Sequence, residues 1–153
     1  MKKKEPKLLE DSICGAFLPD TEMESMHNKK KTISELTGKD YLLTSEECHF
    51  FPKDIWKRKE NTYYVITAKN GKTLKLTARQ SILTKNGWKR AKNLEIGDQM
   101  MCYDFFDGRQ FYALTAKEKI VGEELMVYSI SLGDRTIIAN GFICCDYDMQ
   151  QGR

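Results

Sequence analysis

Cysteine and histidine side chains are the groups in this chain best suited to covalent and acid–base chemistry. The chain has 5 cysteines and 2 histidines, namely Cys14, Cys48, Cys102, Cys144, Cys145, His27 and His49. No C-x-x-C spacing links the cysteines, so neither a zinc ribbon nor a thioredoxin-like site is indicated. Only Cys144 and Cys145 are close in sequence, and adjacent cysteines do not form an ordinary unstrained disulfide. We therefore expect reduced thiols, no metal and no cofactor, in a cytoplasmic protein.

The neighbours of these residues favour structural roles for most of them. His49 precedes Phe50-Phe51-Pro52, which indicates packing rather than membership of a Cys–His catalytic pair. The run Cys144-Cys145-Asp146 has no second ligand pair for a soft metal, so packing at a strand end is favoured over metal binding or redox sensing.

Length and charge exclude several classes of protein. The 153 residues suit one domain and carry a net charge of +3. Basic residues cluster at Lys2–Lys4 and Lys29–Lys31, but such short runs are typical of a solvated surface rather than a nucleic-acid groove. No apolar stretch has the length of a signal peptide or a membrane span. We expect a monomeric domain that binds neither nucleic acid nor membranes.

Strand-forming residues around Asn-Gly pairs predict antiparallel hairpins. Thr62–Thr67 and Lys72–Thr77 flank the pair Asn70-Gly71, and such a pair favours a tight turn in which both central residues have φ > 0. Two further pairs are Asn86-Gly87 and Asn140-Gly141. Short strands at close spacing with little helix predict an all-β domain.

The sequence also contains a weak internal echo. Ile33–Asp40 resembles Ala91–Asp98, because each is a short turn that leads to a Gly/Asp corner and then to a strand. Leu125–Leu132 is predicted to be another strand, and Lys89–Leu94 is predicted to be helical for about one turn. Such an echo suits a fold built from two related halves.

Taken in order, these elements resemble the Hint domain family of inteins and Hedgehog autoprocessing domains. The pieces that carry the likeness are Ala16–Thr21, Ile33–Leu43, Leu76–Asp98, Val127–Ile130 and Ile138–Phe142. The Leu76–Asp98 piece resembles the family pattern of Thr-x-x-His, a Gly-Trp turn, Ala-x-x-Leu and Gly-Asp. The resemblance covers Ala16 to about Asp146 and implies a pseudo-two-fold horseshoe of short antiparallel strands.

The chain departs from the family pattern in length at two places. Lys39 looks like one extra residue in the first Gly/Asp corner. Inteins carry a homing endonuclease in the segment between Asp98 and Val127, which here has fewer than about thirty residues and is too short for such a domain. Its aromatic run, Tyr103–Tyr112, is expected to form a hairpin or loop whose rings either pack in the core or form a partner-binding patch.

The resemblance implies a self-cleaving chemistry that this chain lacks the residues to perform. In the family a Cys or Ser attacks the preceding carbonyl, a His protonates the leaving amine, and a terminal Asn cyclises beside a second His. The residues at the nucleophile, first His, further His, penultimate His and terminal Asn positions are Ala16, Gln80, Arg135, Cys145 and Asp146. Thr77 of the Thr-x-x-His pair is retained. Five departures exceed the single change of a trapped active-site mutant, so we expect that splicing has been lost.

Residual self-processing is the alternative interpretation. Cys14 lies two residues before Ala16 and could attack in a shifted register, although productive attack requires close alignment. Cys145 or Asp146 could support cleavage at the other end. A third interpretation is a plain β-barrel interaction domain whose likeness to the family is accidental.

The sequence therefore predicts three segments and a binding or structural role. Residues 1–12 are expected to be a flexible basic segment, 13–148 a Hint-like domain and 149–153 a short C-terminal tail. A protein or peptide partner is expected either at the vestigial cleft or at the Tyr103–Tyr112 loop.

Overall fold

Antiparallel strands make up most of the chain. The computed structural model describes residues 7–8, 15–26 and 29–151, and within them the elements are as follows. The strands are β1 Lys7–Leu8, β2 Glu22–Glu24, β3 Lys30–Thr32, β4 Leu42–Leu43, β5 His49–Phe50, β6 Asp54–Ala68, β7 Thr73–Leu76, β8 Ser81–Thr84, β9 Gly87–Arg90, β10 Gln99–Asp104, β11 Gly108–Ser131, β12 Thr136–Ala139 and β13 Phe142–Cys145. A short helix, α1, spans Tyr147–Gln151. The prediction of an all-β domain is confirmed.

Eleven of these strands form one sheet. Its order is β1-β6-β11-β10-β8-β13-β12-β2-β3, with β7 paired to β6 and β9 paired to β8, while β4 and β5 form a separate pair. β6 and β11 are 15 and 24 residues long, which is longer than the short strands that the sequence predicted. Register shifts at Leu114/Ala116 and Val121/Leu125 interrupt their pairing, and such bulges allow a long ribbon to bend. β1 pairs with β6 in the parallel sense.

Hairpin turns form at all three Asn-Gly pairs, but their backbone conformations differ. At Asn140 and Gly141 the φ angles are 48° and 85°, as a two-residue turn with two positive φ values requires. At the first pair Gly71 has a φ of 88°, whereas Asn70 is not among the residues with positive φ. Its hairpin is closed by an Ala68 N–H to Lys72 oxygen bond of 2.9 Å. The first turn is therefore a longer loop ending in a left-handed glycine, and the prediction of two positive φ values was wrong there.

The first Gly/Asp corner follows a single 3-10 turn at Ile33–Glu35. Asp40 accepts a hydrogen bond from the Thr37 N–H at 2.6 Å and pairs with Lys31 at 3.2 Å. The carboxylate thus joins the end of the turn to the strand before it. Ile33 is fully buried and anchors the turn in the core.

The second corner repeats this arrangement after a 3-10 turn at Ala91–Asn93. Asp98 accepts from the Glu95 N–H at 2.8 Å and pairs with Lys89 at 2.8 Å. The prediction that Lys89–Leu94 is helical was partly wrong, since Lys89 belongs to β9. The matching pairs of bonds show that the internal echo is a structural repeat with two related halves. Lys39 occupies the position that Gly97 has in the second corner, so Lys39 is not an extra residue when the two corners are compared.

A continuous core joins the two halves. The largest fully buried side chains include Phe17, Met23, Ile33, Leu76 and Phe142. A smaller cluster of Ala16, Leu18 and Val127 packs beside Tyr63, so the chain enters the interior at the start of the described segment 15–26. Among the described residues, no helix is long and apolar enough to cross a membrane.

The ends of the chain are described only in part. Residues 149–151, which the sequence placed in a C-terminal tail, belong to α1. Within the N-terminal segment 1–12, Lys7 and Leu8 pair with Trp56 and Lys57 of β6. The candidate nucleophile Cys14 and the histidine His27 lie outside the described residues.

Candidate functional site

The peptide bond between Gly15 and Ala16, termed the first junction below, precedes the residue that the resemblance aligns with the family nucleophile. Ala16 is fully buried. Its N–H donates to Oγ1 of Thr77 at 2.9 Å, and its carbonyl accepts from the N–H of Thr77 at 2.9 Å. The next residue, Phe17, exchanges bonds of 2.7 and 2.8 Å with Tyr128 of β11. One side chain and two strands therefore hold the backbone of Ala16 in a fixed, extended path.

Gln80 lies beside this junction and contacts the opposite end of the domain. It is fully buried in the turn before β8, where its own N–H donates to the Thr77 carbonyl at 3.1 Å. Its side-chain Nε2 donates to the carbonyl of Cys145 at 3.0 Å and to that of Ser81 at 3.2 Å. Its Oε1 has no hydrogen-bond partner among the described residues. The amide orients neighbouring carbonyls, but it cannot deliver a proton near neutral pH.

Gly15 presses directly against Gln80. A Cβ at position 15 would overlap the Cα and backbone nitrogen of Gln80. Only glycine fits such a close approach of two backbones. The contact fixes the residue before the first junction against the residue that stands in the place of the family histidine.

We expect Gly15→Ala to lower the free energy of unfolding by about 1–3 kcal/mol, because the added methyl group must displace one of two packed backbones. The midpoint of urea unfolding measures this loss. Gly122→Ala is the matched control, since nothing lies within 4 Å of a Cβ built there. Equal midpoints for the two variants would contradict the close packing of Gly15.

The peptide bond after Asp146, termed the second junction below, follows the residue that the resemblance aligns with the family's terminal asparagine. The carboxylate of Asp146 is enclosed by backbone donors. Oδ2 accepts from the N–H groups of Leu132 at 2.8 Å, Asp134 at 3.2 Å and Arg135 at 3.3 Å. Oδ1 accepts from the N–H of Met149 at 2.8 Å and thereby caps the start of α1. Burial raises the pKa of Asp146, while these backbone donors oppose the rise. The side chain holds the last strand, the loop after β11 and the helix together.

Gln150 ties the two junctions to each other. Its Oε1 accepts from the Gly15 N–H at 2.8 Å, and its Nε2 donates to the carbonyl of Asp146 at 3.1 Å. Sequence reasoning missed this residue because it placed α1 in a tail. The available signal was the spacing of four residues from Asp146, which puts both on one face of a helical turn.

The structure thus brings together most of the positions singled out in the sequence. Ala16 bonds with Thr77, Gln80 bonds with the backbone of Cys145, and Asp146 follows directly. Arg135 joins them through its backbone only. Its guanidinium lies over the ring of Phe50 at 3.7 Å and donates to the Leu132 carbonyl at 2.7 Å.

The cysteines of β13 are enclosed rather than exposed to a cleft. Cys144 and Cys145 are both fully buried. Burial raises the pKa of Cys144 well above its usual range and raises that of Cys102 to about 11. Because the thiolate is the reactive form of cysteine, Cys144 and Cys102 are poor nucleophiles near neutral pH.

The chemistry available to this arrangement is binding and alignment. Thr77 accepts a hydrogen bond from the Ala16 nitrogen, so it does not protonate that nitrogen as a leaving group. The methyl group of Ala16 cannot attack the Gly15 carbonyl. Of the described residues, no group of three or more His, Cys, Asp or Glu side chains is arranged to hold a metal ion.

Comparisons with known proteins bear on the fold. No protein-family model and no curated protein matches the sequence. Solved structures of inteins do match. A DnaB intein from Synechocystis sp. PCC 6803 superposes with a TM-score of 0.74 at 16% identity, covering 87% of this chain and 99% of that one.

Two other solved structures match in the same way. The TvoVMA intein gives a TM-score of 0.74 at 16% identity over 86% of this chain and 96% of that one. A bacterial intein-like domain from Clostridium thermocellum gives 0.72 at 16% identity over 86% and 97%. The near-complete coverage of all three and the repeated Gly/Asp corners contradict the interpretation as a plain β-barrel of another fold. This chain has the Hint fold of the inteins.

Proposed function

We propose that this chain is an intein-like domain that no longer splices and serves as a binding or structural module. The observation that carries the proposal is that the junction groups make stable hydrogen bonds and include no nucleophile at position 16. Thr77, Gln80 and Asp146 each bond to backbone atoms, and none is poised to transfer a proton. Hydrogen bonds still hold the backbone at both junctions, while side chains suited to breaking a peptide bond are missing.

Residual cleavage by Cys145 or Asp146 fits the geometry less well. Cys145 is fully buried and Asp146 accepts four backbone hydrogen bonds. For either side chain to attack, these contacts would have to break first, which costs free energy. This arrangement supports the proposal of an inert domain.

Intact-mass measurement tests the proposal directly. The purified 17.8 kDa chain is incubated for several days alone, with dithiothreitol and with hydroxylamine, which intercept thioesters. A second sample carries one test protein fused before residue 1 and another fused after residue 153, so that Gly15 and α1 are kept. We expect unchanged masses in every sample. A fragment ending at residue 15 or at residue 146 would overturn the proposal.

We further propose a monomeric domain in the cytoplasm. The four described cysteines are free thiols, which is the state that thiols keep in a reducing compartment. Labelling of an expressed fusion in fractionated cells tests the location, and light scattering tests the oligomeric state.

A further inference from the structure

A pocket of about 180 Å³ lies away from the two junctions, between β2, the β4–β5 pair and the β10–β11 hairpin. Its walls include Glu24, Leu43, Glu47, His49, Tyr103 and Phe105. None of the junction residues lines it. The pocket combines two carboxylates with aromatic rings and an aliphatic floor.

Glu24 is the buried charge of this pocket. Only 5% of it is exposed, and Nζ of Lys30 forms a long ion pair with it at 3.9 Å from a side chain that is 41% exposed. No hydrogen bond to its carboxylate comes from the residues that the structure describes. Burial raises the pKa of Glu24, and the charges of Lys30 and Lys72 oppose the rise. A desolvated carboxylate without a close donor is costly, and a bound cation would remove that cost.

Tyr103 supplies a second buried polar group on the wall of this pocket. It is only 6% exposed, and its hydroxyl has no partner among the described side chains and backbone groups. Burial raises the pKa of Tyr103, and the charges of Glu47 and Glu24 raise it further. Tyr103 lines the pocket together with Glu24 and Glu47, so its hydroxyl is free to bond to a ligand there.

Phe105 supplies an accessible ring at the mouth of the pocket. It is 54% exposed and packs edge-on against Phe106, with the ring centroids 5.2 Å apart. Phe106 is 84% exposed. The sequence left two roles open for the rings of Tyr103–Tyr112, namely packing in the core or forming a partner-binding patch. Because Phe105 and Phe106 are exposed, core packing is wrong for these two rings. Exposed aromatic rings beside carboxylates suit a planar cation with an apolar stem.

We propose that this pocket binds the arginine side chain of a partner polypeptide. The guanidinium pairs with Glu24 and Glu47, stacks on Tyr103 or Phe105, and its aliphatic stem lies on Leu43. Arginine fits better than lysine because its planar fork bonds two carboxylates while it stacks on a ring. The inference rests on the proposed binding role but not on the loss of cleavage.

Nuclear magnetic resonance titration of the full ¹⁵N-labelled chain tests the inference. The probe is the peptide acetyl-Ala-Arg-Ala-amide, and the control peptide carries citrulline, which has the shape of arginine without its charge. We expect the arginine peptide to shift the amide signals of residues 24, 47, 103 and 105, with at least about tenfold weaker binding for citrulline. A lysine peptide should bind more weakly than arginine. Equal shifts with arginine and citrulline would overturn the proposal.

Matched variants locate the site. Glu24→Gln and the exposed Phe105→Ala should each weaken the arginine peptide at least about tenfold, while Glu118→Gln on an exposed part of β11 should leave it unchanged. The pocket would be refuted as the binding site if all three variants lost binding equally, or if the peptide shifted amide signals on another surface. If the arginine peptide bound only after residues 1–6 were removed, the chain's own Lys2–Lys4 would be the occupant of the pocket. That result would also refute a partner polypeptide as the occupant. Cleavage is measured separately by mass, so the two proposals can fail independently.

Discussion

The double variant Ala16→Cys, Gln80→His should cleave itself between residues 15 and 16 when hydroxylamine or a thiol is added. The new thiol attacks the Gly15 carbonyl, so the peptide C–N bond gives way to a thioester. The new imidazole protonates the nitrogen that leaves. Thr77 already holds this nitrogen at 2.9 Å, so the segment is aligned before the chemistry begins.

The size of this effect follows from the general acid that Gln80→His adds. A positioned acid contributes about 10²–10⁴-fold in rate, so the double variant should cleave at least about 100-fold faster than Ala16→Cys alone. Gln80→His alone should not cleave, because it adds no nucleophile. Intact mass over time measures all three, and circular dichroism shows whether each is folded. A folded double variant that cleaves no faster than Ala16→Cys would contradict the assignment of Gln80 to the proton-donor position.

Replacing Asp146 with alanine should destabilise the chain by about 3 kcal/mol or more. The change leaves the N–H groups of Leu132, Arg135 and Met149 without their acceptor, and each buried donor left unpaired costs about 1–3 kcal/mol. The N–H of Asp134 keeps a second acceptor, Oδ2 of Asp148 at 3.3 Å, and water compensates the part-buried Arg135 N–H in part. The shift of the urea midpoint at constant slope measures the loss.

Two further variants separate the role of this carboxylate from that of its neighbours. Asp146→Asn keeps one acceptor oxygen and should lose less than alanine does. Asp148→Ala removes a half-buried acceptor that the Gly133 N–H at 2.9 Å, the Asp134 N–H at 3.3 Å and the Ser131 hydroxyl share. Because the Asp134 N–H keeps Asp146 as an acceptor, the change should cost about 1–2 kcal/mol. If Asp148→Ala proved as harmful as Asp146→Ala, the central role of Asp146 in the loop after β11 would be refuted.

Local sequence signals were sufficient for the strands and turns. The Asn70-Gly71 and Asn140-Gly141 pairs predicted hairpins because few residues accept positive φ, and both hairpins are present. The echo of the two Gly/Asp corners was also visible, since a carboxylate that bonds to a backbone N–H three residues earlier needs only a short, fixed spacing. The backbone of the first turn was not predictable, because a tight turn and a bulged turn both use glycine.

The candidate site was predictable in its residue types but not in its contacts. The sequence aligned Ala16, Thr77, Gln80, Cys145 and Asp146 with family positions, and the structure brings them together. It gave no sign that the side chain of Arg135 leans over Phe50, or that Gln150 joins Gly15 to Asp146. Such contacts depend on chain segments that are distant in sequence, 135 residues apart for Gly15 and Gln150.

The sequence by itself determined the all-β class, the order of the elements and the identity of the residues that the resemblance aligns with the family's nucleophile, histidine and terminal asparagine, because these follow from residue identity and short-range spacing. Only the tertiary structure decided which contacts those residues make. Folding buries Asp146 within four backbone donors and places Glu24 beside Tyr103 in an acidic, aromatic pocket. Both outcomes arise because folding removes water from polar groups that are distant in sequence, and those groups must then bond to one another or to a ligand.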